Sequence, residues 1–140
     1  MFERLKSYLL YGNRFCGIEH TTKDGVSIIY AMGLKHSKKE LNTTQTFSGH
    51  SIEAISEQLP KHQHAVLIIN NDKVLHKTLK GNFANAQKIV YKAYPNINLN
   101  DFYYEVLSEN DTHFTALCRK DYIASLIDSY KNKKIYMCIA

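Results

Sequence analysis

The sequence is poor in the residues that build disulfide scaffolds and metal fingers. Its 140 residues include three cysteines, two prolines and no tryptophan. Cys16, Cys118 and Cys138 are odd in number, and none belongs to a Cys-x-x-Cys pair, so neither a disulfide framework nor a zinc site is indicated. Each lies in an apolar, strand-like stretch, and we expect three buried thiols in a reducing compartment.

Long apolar runs are also missing. No run approaches the roughly 20 residues that a membrane-spanning helix requires. The first ten residues mix charged with apolar side chains and lack the continuous apolar core of a signal peptide. We therefore expect a cytoplasmic protein. The chain stops within an apolar stretch, which fits a buried terminal strand and a longer natural protein continuing past Ala140 equally well.

Sequence motifs of enzyme active sites are absent. The six glycines are isolated from one another, so there is no P-loop and no GxGxxG turn, and neither GxSxG nor HExxH occurs. His62 and His64 have the spacing of metal ligands on a strand, but no acidic or thiol ligand is close in sequence, which favours ordinary loop histidines. We expect a non-enzymatic protein that binds no cofactor and no metal.

The charge balance leaves nucleic-acid binding open as an alternative function. The formal net charge is +5 and the pI is about 9.0. The lysines are dispersed over residues 35–39, 73–80 and 131–134, mostly at the ends of predicted elements. Solvated turns explain that distribution better than a nucleic-acid stripe does, so no nucleic acid is expected as a partner.

The first half of the chain predicts a meander of three strands. Strands are indicated at 13–20, 26–34 and 41–47, and the third, which is rich in threonine, is expected to be more exposed. The Asp24-Gly25 pair between the first two strands is a strong hairpin signal.

A change of hydrophobic period follows the meander. A helix capped by Ser51 and closed by Pro60 is predicted first. Residues 65–69 are apolar at every position, which indicates a central parallel strand buried on both faces. Residues 74–79 alternate between apolar and polar side chains and predict one more strand.

The second half of the sequence predicts two helices and three strands. Together with the first half, they are expected to form one domain that covers residues 1–140. The segments are a helix from Gly81-Asn82 to Pro95, strands at 102–107 and 113–118, a helix capped by Asp121, and an apolar strand at 135–140. The complete order is β-β-β-α-β-β-α-β-β-α-β, which is typical of an α/β fold with a mixed sheet.

This order resembles half of an actin-like, or RNase H-like, ATPase fold. The residues that carry the resemblance are Gly17-Ile18-Glu19 in the first strand, 65–74 in the middle, and 114–123, where a strand, a basic residue and a helix follow one another. The chain also resembles one family in particular, the cytoplasmic actin-like proteins of type IV pilus assembly and type II secretion, the PilM and GspL type. That family has a small α-β-β subdomain inserted at this point. The resemblance spans nearly the whole chain but only the N-terminal half of that family's domain.

The resemblance implies both an architecture and partners. Residues 11–80 and 121–140 would form a β-β-β-α-β half core, with an inserted α-β-β subdomain at 82–120. Domains of this family recruit an inner-membrane assembly component or the ATPase of the secretion or pilus machine, at the inner face of the inner membrane. Such a protein is an adaptor or scaffold.

A departure from the family bears on nucleotide binding. Nucleotide-binding members carry an Asp-x-Gly turn after the first strand, whereas residues 19–22 here are Glu-His-Thr-Thr, without a glycine. The resemblance therefore implies a non-catalytic scaffold. The alternative is part of an actin-like ATPase whose nucleotide-binding second half is absent from this chain.

The chain holds ten tyrosines, and tyrosine is favoured in recognition surfaces because it offers a large contact area with a polar tip. Tyr91, Tyr94 and Tyr103 fall in or beside the predicted insertion. Ordinary half-buried tyrosines are the alternative explanation. We predict these three as partner-binding residues, in a groove between the helix at 83–94 and the strand at 102–107.

Overall fold

The structure is a computed structural model that describes the backbone of residues 12–138 and the side chains of residues 12–137. The expectations for the first ten residues, for the last two residues of the final strand and for the Cys138 side chain lie outside the described residues. The chain forms two compact units. The first runs to Asn71 and resumes at Ile127, and the second is Asp72–Leu126.

The helices and strands follow the order predicted from the sequence. In chain order they are β1 (Arg14–Lys23), β2 (Val26–Ser37), β3 (Glu40–Gly49), α1 (Ile52–Ser56), β4 (Gln63–Asn70), β5 (Leu75–Lys80), α2 (Ala86–Ala93), a 3-10 turn (Leu99–Asp101), β6 (Phe102–Glu109), β7 (Thr112–Arg119), α3 (Lys120–Asn132) and β8 (Ile135–Cys138). Among residues 12–138, no helix is long and apolar enough to cross a membrane.

The first unit is built on a mixed sheet of five strands, in the order β3-β2-β1-β4-β8. The meander β1-β2-β3 is antiparallel, and β4 runs parallel to both β1 and β8. Asp24 and Gly25 both have positive φ, at 51° and 77°, so the first hairpin closes with the backbone twist that two-residue turns prefer. This is the α/β architecture with a mixed sheet that the sequence predicts.

One face of the five-stranded sheet carries the core of the first unit. Ile18 of β1 and Ile55 of α1 are fully buried there, together with Tyr130 from the C-terminal part of α3. Ser51 begins α1 as predicted, because its hydroxyl accepts a hydrogen bond from the Ala54 N–H at 3.1 Å. We call this covered side of the sheet the inner face.

The prediction that β4 is buried on both faces is wrong. Ala65 is buried, but Val66 and Ile68 are 48% and 51% exposed. Both described helices of this unit contribute their buried side chains to the inner face, so alternate residues of β4 point away from the core. Although residues 65–69 are all apolar, the described residues cover only one face of β4.

The second unit has a three-stranded antiparallel sheet in the order β5-β7-β6, with α2 packed on one face. Val90 of α2 and Leu117 of β7 are fully buried in its core. Residues 75–80, which the resemblance assigned to the half core, lie in this sheet because β5 hydrogen-bonds to β7. The predicted helix begins later than Gly81-Asn82, since Asn85 is the residue that caps it.

A buried polar contact lies inside the first unit. The Nε2 atom of His20 and the hydroxyl oxygen of Tyr130 are 2.6 Å apart, and both residues are buried. Burial lowers the pKa of His20 below its ordinary value. The lowered pKa favours the neutral imidazole, whose Nε2 can accept a hydrogen bond from the Tyr130 hydroxyl. This contact ties α3 to the central strand β1.

Replacing the Tyr130 hydroxyl should destabilise the protein. Tyr130→Phe leaves the buried His20 nitrogen without this partner, and we expect a loss of about 1–3 kcal/mol in the free energy of unfolding. Urea denaturation measures the change. Tyr91→Phe, which removes an exposed hydroxyl, is the matched control and should leave stability unchanged. Equal effects of the two variants would contradict the role assigned to this contact.

The pH dependence of stability should contain a contribution from His20. Its folded pKa lies below the unfolded value of 6.5, so the unfolded state binds more protons and stability falls as the pH drops through 6.5 toward the folded pKa. His20→Gln removes this titration, and we expect a shallower loss of stability between about pH 7 and about pH 5. Urea titrations across that range test this, with exposed His36→Gln as the control. A His20→Gln slope equal to that of the unmodified chain would contradict it.

Candidate protein-docking surface

The structure does not bring the three predicted tyrosines together. Tyr91 lies on α2 and is 45% exposed, whereas Tyr94 is buried at the end of that helix. Tyr103 lies on β6 and is 55% exposed. Phe102 and Val106 of the same strand pack against the core that α2 covers, so alternation along the strand places Tyr103 on the opposite face. The predicted groove between helix and strand is therefore not formed by these side chains.

Tyr94 is part of the core of the second unit. It packs with Val90 and Leu117, and the Lys77 ammonium lies 4.7 Å from the centre of its ring. The same ammonium donates a hydrogen bond to the Ala93 carbonyl at 2.7 Å. The Tyr94 hydroxyl is buried without a hydrogen-bond partner among the described residues. Its ring stabilises the unit, and a partner-binding role remains a prediction for Tyr91 and Tyr103 alone.

Substitutions at Tyr94 should distinguish the contribution of its ring to stability from that of its hydroxyl. Tyr94→Ala removes a buried ring and should lower the free energy of unfolding by about 3–5 kcal/mol. Tyr94→Phe deletes a buried hydroxyl that makes no hydrogen bond, so we expect no loss of stability. Chemical denaturation of both variants tests this, beside Tyr91→Ala as the exposed control. A large loss in Tyr94→Phe would show that the hydroxyl has a partner.

The uncovered face of the three-stranded sheet carries exposed apolar side chains. Leu107 is 71% exposed and Phe114 is 44% exposed, and they are directly paired across β6 and β7. Tyr103 is paired with Cys118, which is itself buried, and Glu105 lies between the two pairs. We call this surface, formed by Tyr103, Glu105, Leu107, Phe114 and Ala116, the docking face.

One charged group borders the docking face and a second lies within it. The Lys120 ammonium lies 5.3 Å from the centre of the Tyr103 ring, within the range of a cation–π contact. Glu105 is exposed in the middle of the face, opposite Ala116. Exposed apolar and aromatic side chains next to charged groups are typical of a protein-interaction surface.

Leu107 and Phe114 are not among the residues predicted from the sequence to bind a partner. A signal for them was present, because both alternating sets of residues in 102–107 contain large apolar side chains. Only one of the two sets can face α2, so the other must be on the far side of the sheet. Which set is exposed depends on the packing of α2 and could not be inferred from the strand alone.

The two described cysteines have the properties of inert thiols. Burial raises the pKa of Cys16 to about 11, opposed in part by a backbone hydrogen bond with Met32. Burial also raises the pKa of Cys118, opposed in part by a backbone hydrogen bond with Arg119 and supported by the Asp121 carboxylate. Because the thiolate is the reactive form, neither position is suited to nucleophilic chemistry.

The histidines singled out from the sequence contact aromatic rings. His62 and His64 lie 6.1 Å and 5.8 Å from the Tyr136 ring centre, with His62 stacked on it. Within residues 12–138, no group of three or more His, Cys, Asp or Glu side chains is placed to hold a metal ion. His62 and His64, whose spacing resembles that of metal ligands, are thus part of an aromatic cluster with Tyr136 at the start of β4.

His113 is a structural histidine in the second unit. Its Nε2 atom lies 2.7 Å from the Gly81 carbonyl oxygen, which can only accept, so Nε2 carries the proton. Its Nδ1 atom then accepts from the Ser108 hydroxyl at 2.7 Å. Both ring nitrogens are engaged, and the ring joins the start of β7 to the segment that precedes α2.

The segment that carries a phosphate-binding turn in nucleotide-binding members of the resembled family is a regular strand here. Residues 19–22 continue β1, where they pair with β2 on one side and, for Glu19 to Thr21, with β4 on the other. Their backbone N–H and C=O groups face neighbouring strands. This segment therefore offers no turn of free N–H groups to an anion.

Comparisons with known proteins identify the fold. No protein-family profile matches the chain, and no curated protein matches its sequence. Among solved structures, the chain is similar to the cytoplasmic domain of EpsL, an inner membrane component of the type II secretion system of Vibrio cholerae, with a TM-score of 0.60 and 10% sequence identity. The match covers 89% of this chain and 55% of the EpsL domain, so the chain spans about half of that structure. At this identity the likeness shows a shared fold.

Proposed function

We propose that this chain is a non-catalytic adaptor or scaffold domain that binds protein components of a type II secretion or type IV pilus-like machine. Its fold is of the actin-like, RNase H-like type, and it acts in the cytoplasm at the inner face of the inner membrane. The partners are an inner-membrane assembly component or the ATPase of the machine. The observation that carries this proposal is the fold shared with the EpsL cytoplasmic domain over 89% of the chain.

Two properties of the site support a scaffold over an enzyme. The thiols of Cys16 and Cys118 are buried with raised pKa values, and the buried histidines His20 and His113 are engaged in hydrogen bonds within the core. The stretch at 19–22 is occupied by strand pairing, where a nucleotide-binding relative would have its first phosphate turn. The docking face, by contrast, exposes Leu107, Phe114 and Tyr103, which are side chains suited to contact with another protein.

Affinity capture tests the proposal. The 140-residue chain is used as bait on detergent-solubilised membranes of the source organism, and bound proteins are identified by mass spectrometry. We expect enrichment of inner-membrane secretion or pilus proteins or of their motor ATPase. Tyr103→Ala combined with Leu107→Ala should sharply reduce this enrichment, because a few anchor residues supply most interface energy.

The matched control is Tyr104→Ala. Tyr104 is next to Tyr103 and partly exposed, but it faces the other side of β6. It should leave capture unchanged, while Tyr91→Ala reports on the α2 surface separately. Circular dichroism and thermal denaturation establish that each variant is folded. Capture of only metabolic or nucleic-acid-associated proteins would overturn the proposed function, and equal loss in Tyr104→Ala would overturn the docking face.

A further inference from the structure

Segments that are far apart in sequence meet at one end of the five-stranded sheet. The pairing of the strands places the starts of β1, β4 and β8 beside the end of β2 and the start of β3. Two backbone hydrogen bonds join these segments, from the His36 N–H to the Asn13 carbonyl and from the His62 N–H to the Lys134 carbonyl, both at 2.8 Å. Neighbouring strands are about 4.8 Å apart, so this end of the sheet is about 19 Å wide. We call it the basic end, and it consists of residues 12–14, 35–41, 60–64 and 131–136.

The basic end gathers positive charges that are dispersed in the sequence. Its four segments contain one acidic residue, Glu40, and eight basic residues, all of them exposed: Arg14, Lys35, Lys38, Lys39, Lys61, Lys131, Lys133 and Lys134. The whole chain has 18 basic and 13 acidic residues, so the remainder of the chain has ten basic and twelve acidic residues. The net positive charge of the protein therefore comes from this end of the sheet.

Little of this charge is compensated by neighbouring acidic groups. The Lys133 ammonium lies 3.9 Å from a carboxylate oxygen of Glu53, and Glu40 is next to Lys39 in sequence. The opposite end of the sheet is balanced by comparison, because the turn between β1 and β2 carries both Lys23 and Asp24. Charges of one sign within about 10 Å of each other repel at moderate ionic strength. An anionic partner relieves that repulsion, so the basic end is suited to bind one.

The arrangement of the basic end favours a planar anionic partner over a nucleic acid. The charges lie on separate turns and strand ends across the width of the sheet, whereas single-stranded nucleic acids are bound along a groove with free aromatic rings for stacking. The Tyr136 ring at this end is already stacked on His62.

An exposed apolar side chain lies among the cations. Leu41 is 58% exposed and pairs with His36 at the start of β3, two residues after Lys39. A phosphate backbone offers such a side chain no apolar contact. At a lipid surface, by contrast, lysines reach the headgroups while an adjacent apolar side chain enters the boundary with the acyl chains. Leu41 therefore favours a lipid surface as the anionic partner.

We propose that the basic end binds the anionic headgroups of a membrane surface, with Leu41 at the boundary between headgroups and acyl chains. Each lysine held near an anionic lipid surface strengthens binding about fivefold. The proposal concerns the first unit and goes beyond the adaptor function. Its test needs no secretion or pilus protein, so its failure would leave the adaptor function standing.

Vesicle co-sedimentation of the 140-residue chain tests the proposal. We expect binding to vesicles of phosphatidylglycerol and phosphatidylcholine, and none to phosphatidylcholine alone. Binding should be lost at about 1 M salt, where the screening length falls to about 3 Å. Failure to bind the anionic vesicles at about 0.1 M salt would overturn the proposal. Tighter binding to single-stranded or duplex DNA than to these vesicles at the same salt would also overturn it, in favour of a nucleic acid.

Charge-matched variants locate the binding surface. Lys39→Gln combined with Lys61→Gln removes two exposed cations from different turns of the basic end, and we expect vesicle binding to weaken about 25-fold. Lys88→Gln combined with Lys92→Gln removes two exposed cations from α2 and is the control, because the net charge of the protein changes equally. Circular dichroism establishes that both variants are folded. Equal weakening in the two variants would show that net charge alone drives binding and would overturn the proposal.

Paramagnetic relaxation from headgroup-labelled lipids gives a second measurement on the unmodified chain. In anionic nanodiscs, the amide signals of Lys39 and Leu41 should broaden more than those of Asp24 and Gly25, which lie at the opposite end of the same sheet. Equal broadening at the two ends, or stronger broadening at Asp24 and Gly25, would overturn the assignment of the basic end.

Discussion

The pairing of β1 on both of its edges is the constraint on which the first unit depends. The strand is antiparallel to β2 along its length and parallel to β4 from Cys16 to Thr21, so its central residues are paired on both edges. Because side chains alternate along a strand, this pairing turns Cys16, Ile18 and His20 into the core together. The His20–Tyr130 contact and the packing of α1 and α3 on the inner face follow from that orientation.

Both sheets of the protein have one face covered by helices and one face that the described residues leave open. The covered faces hold the buried histidines His20 and His113, which are candidates for reactive groups by residue type. The open faces hold large apolar side chains at positions where a protein surface is ordinarily polar. This distribution of side chains is consistent with the proposed function, which depends on contact between protein surfaces.

The sequence predicted local features well where a residue acts on its own neighbours. Asp24-Gly25 closes the first hairpin, and Ser51 caps the first helix, because turn and cap preferences depend on a few adjacent atoms. The start of α2 was placed too early, since Asn82 and Asn85 are both suitable caps and only packing decides between them. Tyr94 was predicted to be a partner-binding residue, and its ring lies in the core of the second unit.

What the sequence by itself determined is the order of the elements, the α/β class and the mixed sheet, since these depend on hydrophobic period and turn residues within short segments. Tertiary structure alone decided that β5 belongs to the second sheet and that Val66 and Ile68 face outward. It also decided that Tyr91 and Tyr103 lie on different surfaces. Each of these depends on which elements pack against which face, and an apolar strand has the same sequence pattern whether one face is covered or both.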